Sequence, residues 1–244
     1  MCIRDSIASV KANESSWQNS CNDAAIVVLS RAGGESTDAA MKTEEGRNYL
    51  ALSSQEEDLM SYLKQQKEAG VFGSIIVLVN SEQAMELGWL DEYDVDACLV
   101  VGRPGAVGYT GIVNVLTGAA NPSGRLVDTY ASNSLSAPAT VFAGENTQTW
   151  ANLDWVENND VDFGTDGSEN NWIVYAEGIY VGYKYYETRY EDTVLGNGNA
   201  DSIVGSSTGK AWNYNDEIAY PFGYGLSYTT FSQTLDGVEY DETT

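Results

Sequence analysis

Histidine is absent from all 244 residues, and that gap removes Ser-His-Asp and Cys-His catalysis together with most zinc sites. Cysteine is scarce as well. Cys2, Cys21 and Cys98 are odd in number and widely spaced, which builds neither a disulfide framework nor a metal cluster and reads as buried or incidental thiols. Positive charge is the third shortage: 12 lysines and arginines face 36 acids, for a formal charge of -24. Such a surface repels phosphate backbones and anionic lipid, so nucleic acid and membranes are set aside as partners. No apolar run approaches the roughly 20 residues that span a bilayer, the longest being stretches such as "AAIVVLS" and "SIIVLVN". The opening "MCIRDS" lacks a basic region followed by an apolar one, so it is no signal peptide, and residues 1–6 read as a sequencing or assembly remnant. Native export and cellular location stay open.

What remains is enough to fold. Hydrophobic residues make up 43% and tyrosine alone supplies 16 positions, too rich for an acidic disordered tail. The run 24–30 is short, apolar and β-branched, and it empties into the glycine-bearing "RAGGEST", which predicts a buried strand followed by a loop. From Ser54, "SQEEDLMSYLKQQKEAG" predicts an amphipathic helix, with Ser54 and Glu57 as a capping box, Leu59, Met60 and Leu63 on one face, and a stop at Gly70. A strand at 74–80, a helical turn around "AMELGWL" and a strand at 97–102 follow. The expected fold class is therefore α/β, a mostly parallel sheet flanked by helices on both faces. Ligands in such sheets lie beyond the carboxyl ends of the strands, which points at "RAGGES" and "GRPGAVGYTG" as mouth loops. "NPSGR" is a turn by chemistry, and "LVDTY" after it is expected to be a further strand. The polar stretch 131–171 reads as a long surface insertion.

Three patterns invite ligands and fail on spacing. Glycines 102, 105 and 108 do not reproduce the dinucleotide fingerprint, and "GSSTGKA" is one residue short of a P-loop with alanine after Lys210, leaving a flexible loop. In "NNDVDFGTDGSE", Asn158, Asp160, Asp162 and Glu169 fall at calcium-loop positions, but Phe163 occupies the sharp turn that needs glycine. No cofactor and no metal is expected.

"VYAEGIYVGYKYYET", residues 174–188, sets one carboxylate, Glu177, before an aromatic run in which Ile179, Val181, Tyr183 and Tyr185 alternate as on a strand. On spacing alone Glu177 reads as an ordinary solvated carboxylate, and the tyrosines equally as a core or an oligomer face. Together with "IVVLSRAGGESTD", "VLVNSEQAMELGWL" and "NPSGRL" before it and "YPFGYGLSYTTF" after it, in the same order as in that domain, the run resembles the second domain of family 3 glycoside hydrolases, the β-glucosidase group. The resemblance covers nearly all of residues 20–230 and implies an α/β sandwich over 7–229, with 230–244 as the start of a fibronectin type III-like domain.

It also implies a retaining mechanism on a terminal β-linked glucoside or related sugar. An aspartate on a separate TIM-barrel domain of the same polypeptide is the nucleophile, and Glu177 is the general acid/base. Arg31, Gly33, Gly34 and Glu35 become candidates for sugar contact or for shaping the mouth loop. The chain departs from the family pattern where Ser36 follows the glutamate, where "PGAVGY" replaces "PGQEGG", and at Lys184 in place of arginine. A different class of function also fits: a non-catalytic carbohydrate-binding or structural module, with Trp172 and Trp212 stacking on sugars.

Overall fold

The computed structural model describes residues 7–20, 22–34, 39–142, 177–196 and 206–239. Two short helices, α1 (Ile7–Ala12) and α2 (Glu14–Trp17), precede strand β1 (Ala24–Ser30). Helix α3 (Ser54–Glu68), strand β2 (Ser74–Asn80) and strand β3 (Ala97–Val100) complete a three-stranded parallel sheet in the order β1-β2-β3. Register runs from Ala24 opposite Ser74 to Ser30 opposite Asn80, so the strands finish together and their following loops share one end of the sheet.

The α/β architecture and the helix after β1 are as expected, with an adjusted boundary. Ser53 caps α3: its hydroxyl accepts from the Glu56 backbone N–H while the Glu56 carboxylate accepts from the Ser53 N–H at 2.8 Å. The capping pair is thus Ser53 and Glu56, one residue ahead of Ser54 and Glu57. Leu59, Met60, Tyr62 and Leu63 are buried on one face, and Gly70 takes up a left-handed φ of 75° just past the end. This face closes one side of the sheet against Val27, Leu29, Ile75, Val77 and Val79. On the opposite side of β1, Ile26 is 51% and Val28 42% exposed, and among the described residues no helix covers them. Between β2 and β3 the chain makes turns instead of the expected helical turn, and Asp94 adopts a φ of 53° within them.

Helix α4 (Gly105–Leu116) begins inside the segment expected to be a mouth loop, which leaves only Gly102 to Pro104 as loop. It buries no side chain, and Val107, Tyr109 and Val113 are exposed. Strand β4 is only Tyr130–Ala131, the end of the expected "LVDTY" strand. A 3-10 turn at Ser134–Ser136 and helix α5 (Pro138–Phe142) follow. Helix α6 (Tyr183–Leu195), helix α7 (Tyr214–Glu217) and strand β5 (Ile218–Tyr220) complete the order, with β5 antiparallel to β4. Residues 230–239 carry no strand and are exposed.

Alternation along β4 joins two cores. Tyr130 belongs to the cluster around α3, while Ala131 belongs to a second cluster with Tyr185, Tyr186 and Ile218. The fully buried Glu217 anchors that second lobe: its carboxylate accepts from the Ser207 N–H at 3.0 Å and from the hydroxyls of Ser206 and Ser207. The glycine-serine segment expected to be a flexible loop is therefore fastened over residues 206–207.

Candidate active site

Glu177 stands on a turn, not at the head of a strand. Its carbonyl accepts from Tyr180 N–H at 2.9 Å, and Gly178 and Gly182 bracket the turn with φ of 55° and 59°. Both values favour glycine. A side chain at Gly182 would meet Asp128 Oδ1 at 3.1 Å, so the turn sits closely against the segment entering β4. The expected aromatic strand is replaced by α6. Buried Tyr185, Tyr186 and Arg189 lie at helical spacing, which the alternation of apolar residues from 179 to 185 concealed.

One oxygen of the candidate acid, Glu177 Oε2, is shielded from solvent and has no hydrogen-bond partner. An acceptor in that condition is costly unless something pairs with it. Tyr180 packs half-buried against the second core, and Tyr186 holds Ser136 through a buried hydroxyl pair at 2.7 Å. Burial drives the Tyr186 phenol far above its ordinary value, so it stays a neutral hydrogen-bonding group. Tyr183 stacks on Phe222 with ring centroids 3.9 Å apart. Arg189 donates to the Tyr185 hydroxyl and lies over the Tyr185 and Trp212 rings at 5.6 and 5.0 Å. Trp212 is therefore packed into the lobe, while Trp172 lies outside the described residues.

The mouth lies where β1, β2 and β3 finish. Arg31 uses all five guanidinium donors within the chain: Nε on the Tyr49 carbonyl, Nη1 on Ser30 and Glu56, and Nη2 on Ala51 and Glu56. The two bonds to Glu56 are both 2.8 Å, and the Arg31 side chain is only 6% exposed. Burial pushes the Glu56 carboxyl up, but the hydrogen bonds and charge of Arg31, helped by Ser53, more than offset it and hold the group below its ordinary value. Any sugar contact by Arg31 would require one of these bonds to break.

Gly33 and Gly34 lie where an added side chain would crowd its neighbours. A Cβ on Gly33 would come 2.7 Å from Gln83 Nε2, and one on Gly34 would come 3.2 Å from Arg103 Nη2. Arg103, on the loop after β3, donates to the Gly33 carbonyl and pairs with Glu82 at 3.2 Å. Asn80 donates to the Gly102 carbonyl, so the three loops are laced together. Arg31, Gly33 and Gly34 are thus brought to one place, and Glu35 lies outside the described residues. Sequence reasoning missed Asn80, Glu82, Gln83 and Arg103. The shared strand ends were a usable signal for them, since Asn80 ends β2 and the other three follow β2 or β3 in the register that aligns the loops.

Among the described residues no group of three or more Cys, Asp or Glu is poised to hold a metal. The calcium-like stretch 158–169 lies outside them. Burial pushes the Cys98 thiol up to about 12, which makes it unreactive as a nucleophile or ligand, while Cys2 and Cys21 are outside the described residues. No described helix is long and apolar enough to cross a membrane.

A parallel sheet with its loops gathered at one end, and a carboxylate on a glycine-bracketed turn, define an α/β domain with a candidate acid site. Residues 3–183 match the glycosyl hydrolase family 3 C-terminal domain, and the chain belongs to that family. It is 29% identical over 221 residues to a β-glucosidase of Ruminococcus albus, an alignment spanning 91% of this chain and 17% of that protein. A β-glucosidase B of Emericella nidulans is 32% identical over 61% of this chain and 13% of its own length. Among solved structures, a β-glucosidase from Paenibacillus barengoltzii superposes with a TM-score of 0.60 at 25% identity, covering 92% of this chain and 18% of that one. Thermotoga neapolitana β-glucosidase 3B, in complex with α-D-glucose, gives 0.57 at 28% identity, covering 88% and 23%. The chain spans between 13% and 23% of the length of these relatives.

Proposed function

We propose that this chain is the acid/base-bearing domain of a retaining β-glycosidase that removes terminal β-linked glucose or a related sugar. Glu177 is the general acid/base, and the nucleophilic aspartate lies on a TIM-barrel domain elsewhere in the same polypeptide. The observation that carries the reading is the shielded, unpartnered Oε2 of Glu177 on its glycine-bracketed turn. Family membership supports it, since the matched residues include Glu177.

In the first step the barrel aspartate attacks the anomeric carbon while Glu177 gives its proton to the departing glycosidic oxygen. In the second, Glu177 takes a proton from water as that water attacks the glycosyl-enzyme bond. A retaining pair needs its carboxyl groups about 5 to 5.5 Å apart, so the barrel must close over this turn. Closure also excludes water from the space between the carboxyl and the leaving oxygen.

The test uses the chain completed with the remaining domains of the Ruminococcus albus relative. Glu177→Ala should slow hydrolysis of a β-linked glucose disaccharide by about 10²- to 10⁴-fold. Aryl glucosides with good leaving groups need no proton and should lose less in glycosyl transfer, and azide should partly restore their turnover. An unchanged rate on the disaccharide would falsify the assignment. The chain alone, lacking the nucleophile, is expected to turn over no glucoside. The binding-module alternative predicts instead saturable sugar binding by the chain alone. Trp212, one of its two proposed platforms, is already engaged by Arg189.

A further inference from the structure

Neither Gly33 nor Gly34, in the loop after β1, takes a left-handed φ, so the backbone there is open to any residue. Their glycine character answers to space instead. At Gly33 the space is taken by Gln83 Nε2 and by Ala39, whose N and Cβ would each lie 3.1 Å from an added Cβ. At Gly34 an added Cβ would stand 3.2, 3.5 and 3.8 Å from Nη2, Nη1 and Cζ of Arg103, so a guanidinium fills the place of the missing side chain.

Both intruding side chains come from neighbouring strand ends, and both are rooted there. Gln83 follows β2, where the buried Ser81 hydroxyl accepts from the Gln83 N–H at 3.1 Å and donates to the Gln83 carbonyl at 2.8 Å. Arg103 follows β3 on a loop that Asn80 ties down at Gly102. Its Nη2 donates to the Gly33 carbonyl, and Glu82 aims the group through Nε. One residue earlier, Tyr49 clamps Ala32: its hydroxyl accepts from the Ala32 N–H at 2.8 Å and donates to the Ala32 carbonyl at 3.1 Å. Arg103 extends that grip to the glycines. Stability does not account for it, because the Arg103 and Glu82 side chains are 57% and 45% exposed and so open an ion pair adds little to a fold.

We infer that Arg103 is a positioning residue for the mouth: its guanidinium, aimed by Glu82, sets the Gly33–Gly34 turn at the end of β1, and residue 34 is glycine to admit it. The inference rests on the reading of the chain as part of a β-glycosidase and is independent of which carboxylate gives the proton. A turn held in this way governs how the mouth meets the reacting sugar, so misplacing it costs turnover more than affinity.

The experiment measures kcat and KM of the completed enzyme on a β-linked glucose disaccharide. Arg103→Ala should lower kcat by about 10- to 100-fold with little change in KM, while the urea midpoint stays where it was. Arg103→Lys should recover little, since an ammonium lacks the fork that reaches Gly33 and Glu82 together. Glu82→Gln keeps an acceptor for Nε and should retain most of the rate. Gly34→Ala should lose about as much as Arg103→Ala, and the double variant should be no worse than either, because both changes remove one contact. Multiplied losses in the double variant, a raised KM at unchanged kcat, or an activity loss accompanied by a lower urea midpoint would overturn the inference. A completed enzyme that cleaves no β-glucoside would instead overturn the glycosidase reading, and amide hydrogen exchange on the chain alone then decides for Arg103. Arg103→Ala should speed exchange in residues 32–34 and leave 48–51 as they were, whereas unchanged exchange at 32–34 would refute the grip on the turn.

Discussion

Around α3 the protein buries methionine, leucine, isoleucine and valine, whereas around α6 it buries tyrosine hydroxyls, the guanidinium of Arg189 and the carboxylate of Glu217. The first region gains stability from area removed from water, a force without direction. The second gains arrangement: each buried polar group is satisfied only in a particular geometry, and leaving one unpaired is expensive. Glu177 borders the second region, where position has to be specified, and like Trp212 Nε1 in that lobe its Oε2 is shielded without a hydrogen-bond partner.

The sharpest way to break the contrast is Arg31→Ala, which removes an ion pair from the edge of the apolar region. Glu56 would be left largely buried without its counter-charge, and the loss should be about 3 to 5 kcal/mol in urea unfolding. Met60→Ala tests apolar packing itself. Met60 is fully buried, and the expected cost is about 2 to 5 kcal/mol. Tyr186→Phe leaves packing intact and strands the Ser136 hydroxyl, so the second lobe should lose only about 1 to 2 kcal/mol. Glu177→Gln should change unfolding by less than about 0.5 kcal/mol, because the fold draws no hydrogen bond from Oε2. A loss comparable with that of Tyr186→Phe would make Glu177 structural.

The acidic limb sharpens the same contrast through two carboxylates. Glu56 is held below its unfolded value of 4.5, so its contribution is complete above that pH and disappears as pH falls through the lower folded value. Burial raises Glu86, so the folded state favours its protonated form. Its contribution is fullest below 4.5 and is lost as pH rises through the higher folded value. Glu56→Gln should therefore flatten the fall in stability on the acid side, whereas Glu86→Gln should lessen the cost carried at neutral pH. Urea midpoints measured from pH 3 to pH 7 check both signs, and parallel curves for the two variants would contradict the opposed environments.

The sheet and α3 were legible because continuous apolar runs and a serine cap carry their own signals. Even there, Ser53-Ser54-Gln55-Glu56-Glu57 contains two overlapping capping boxes, and the choice of Glu56 goes with a partner, Arg31, remote in sequence. Helix α6 was misread because Ile179, Val181, Tyr183 and Tyr185 alternate, while the buried position that completes the helical spacing is an arginine. Glu177 was singled out through its motif, but the isolation of Oε2 depends on contacts that spacing does not encode. Arg31 shows the reverse limit. Its place beside the glycine loop suggested a ligand contact, yet five internal bonds are invisible in a linear pattern.

The uncovered side of β1 has a colloidal consequence. Ile26 and Val28 offer adhesive surface on a chain whose formal charge of -24 drives copies apart. At about 0.01 M salt the repulsion reaches roughly 30 Å and keeps chains dispersed, but at about 1 M it reaches only about 3 Å, less than the span of two facing side chains. Light scattering from the chain on its own should therefore rise with salt, the reverse of what a charge-held assembly would do, and Val28→Lys should delay the rise.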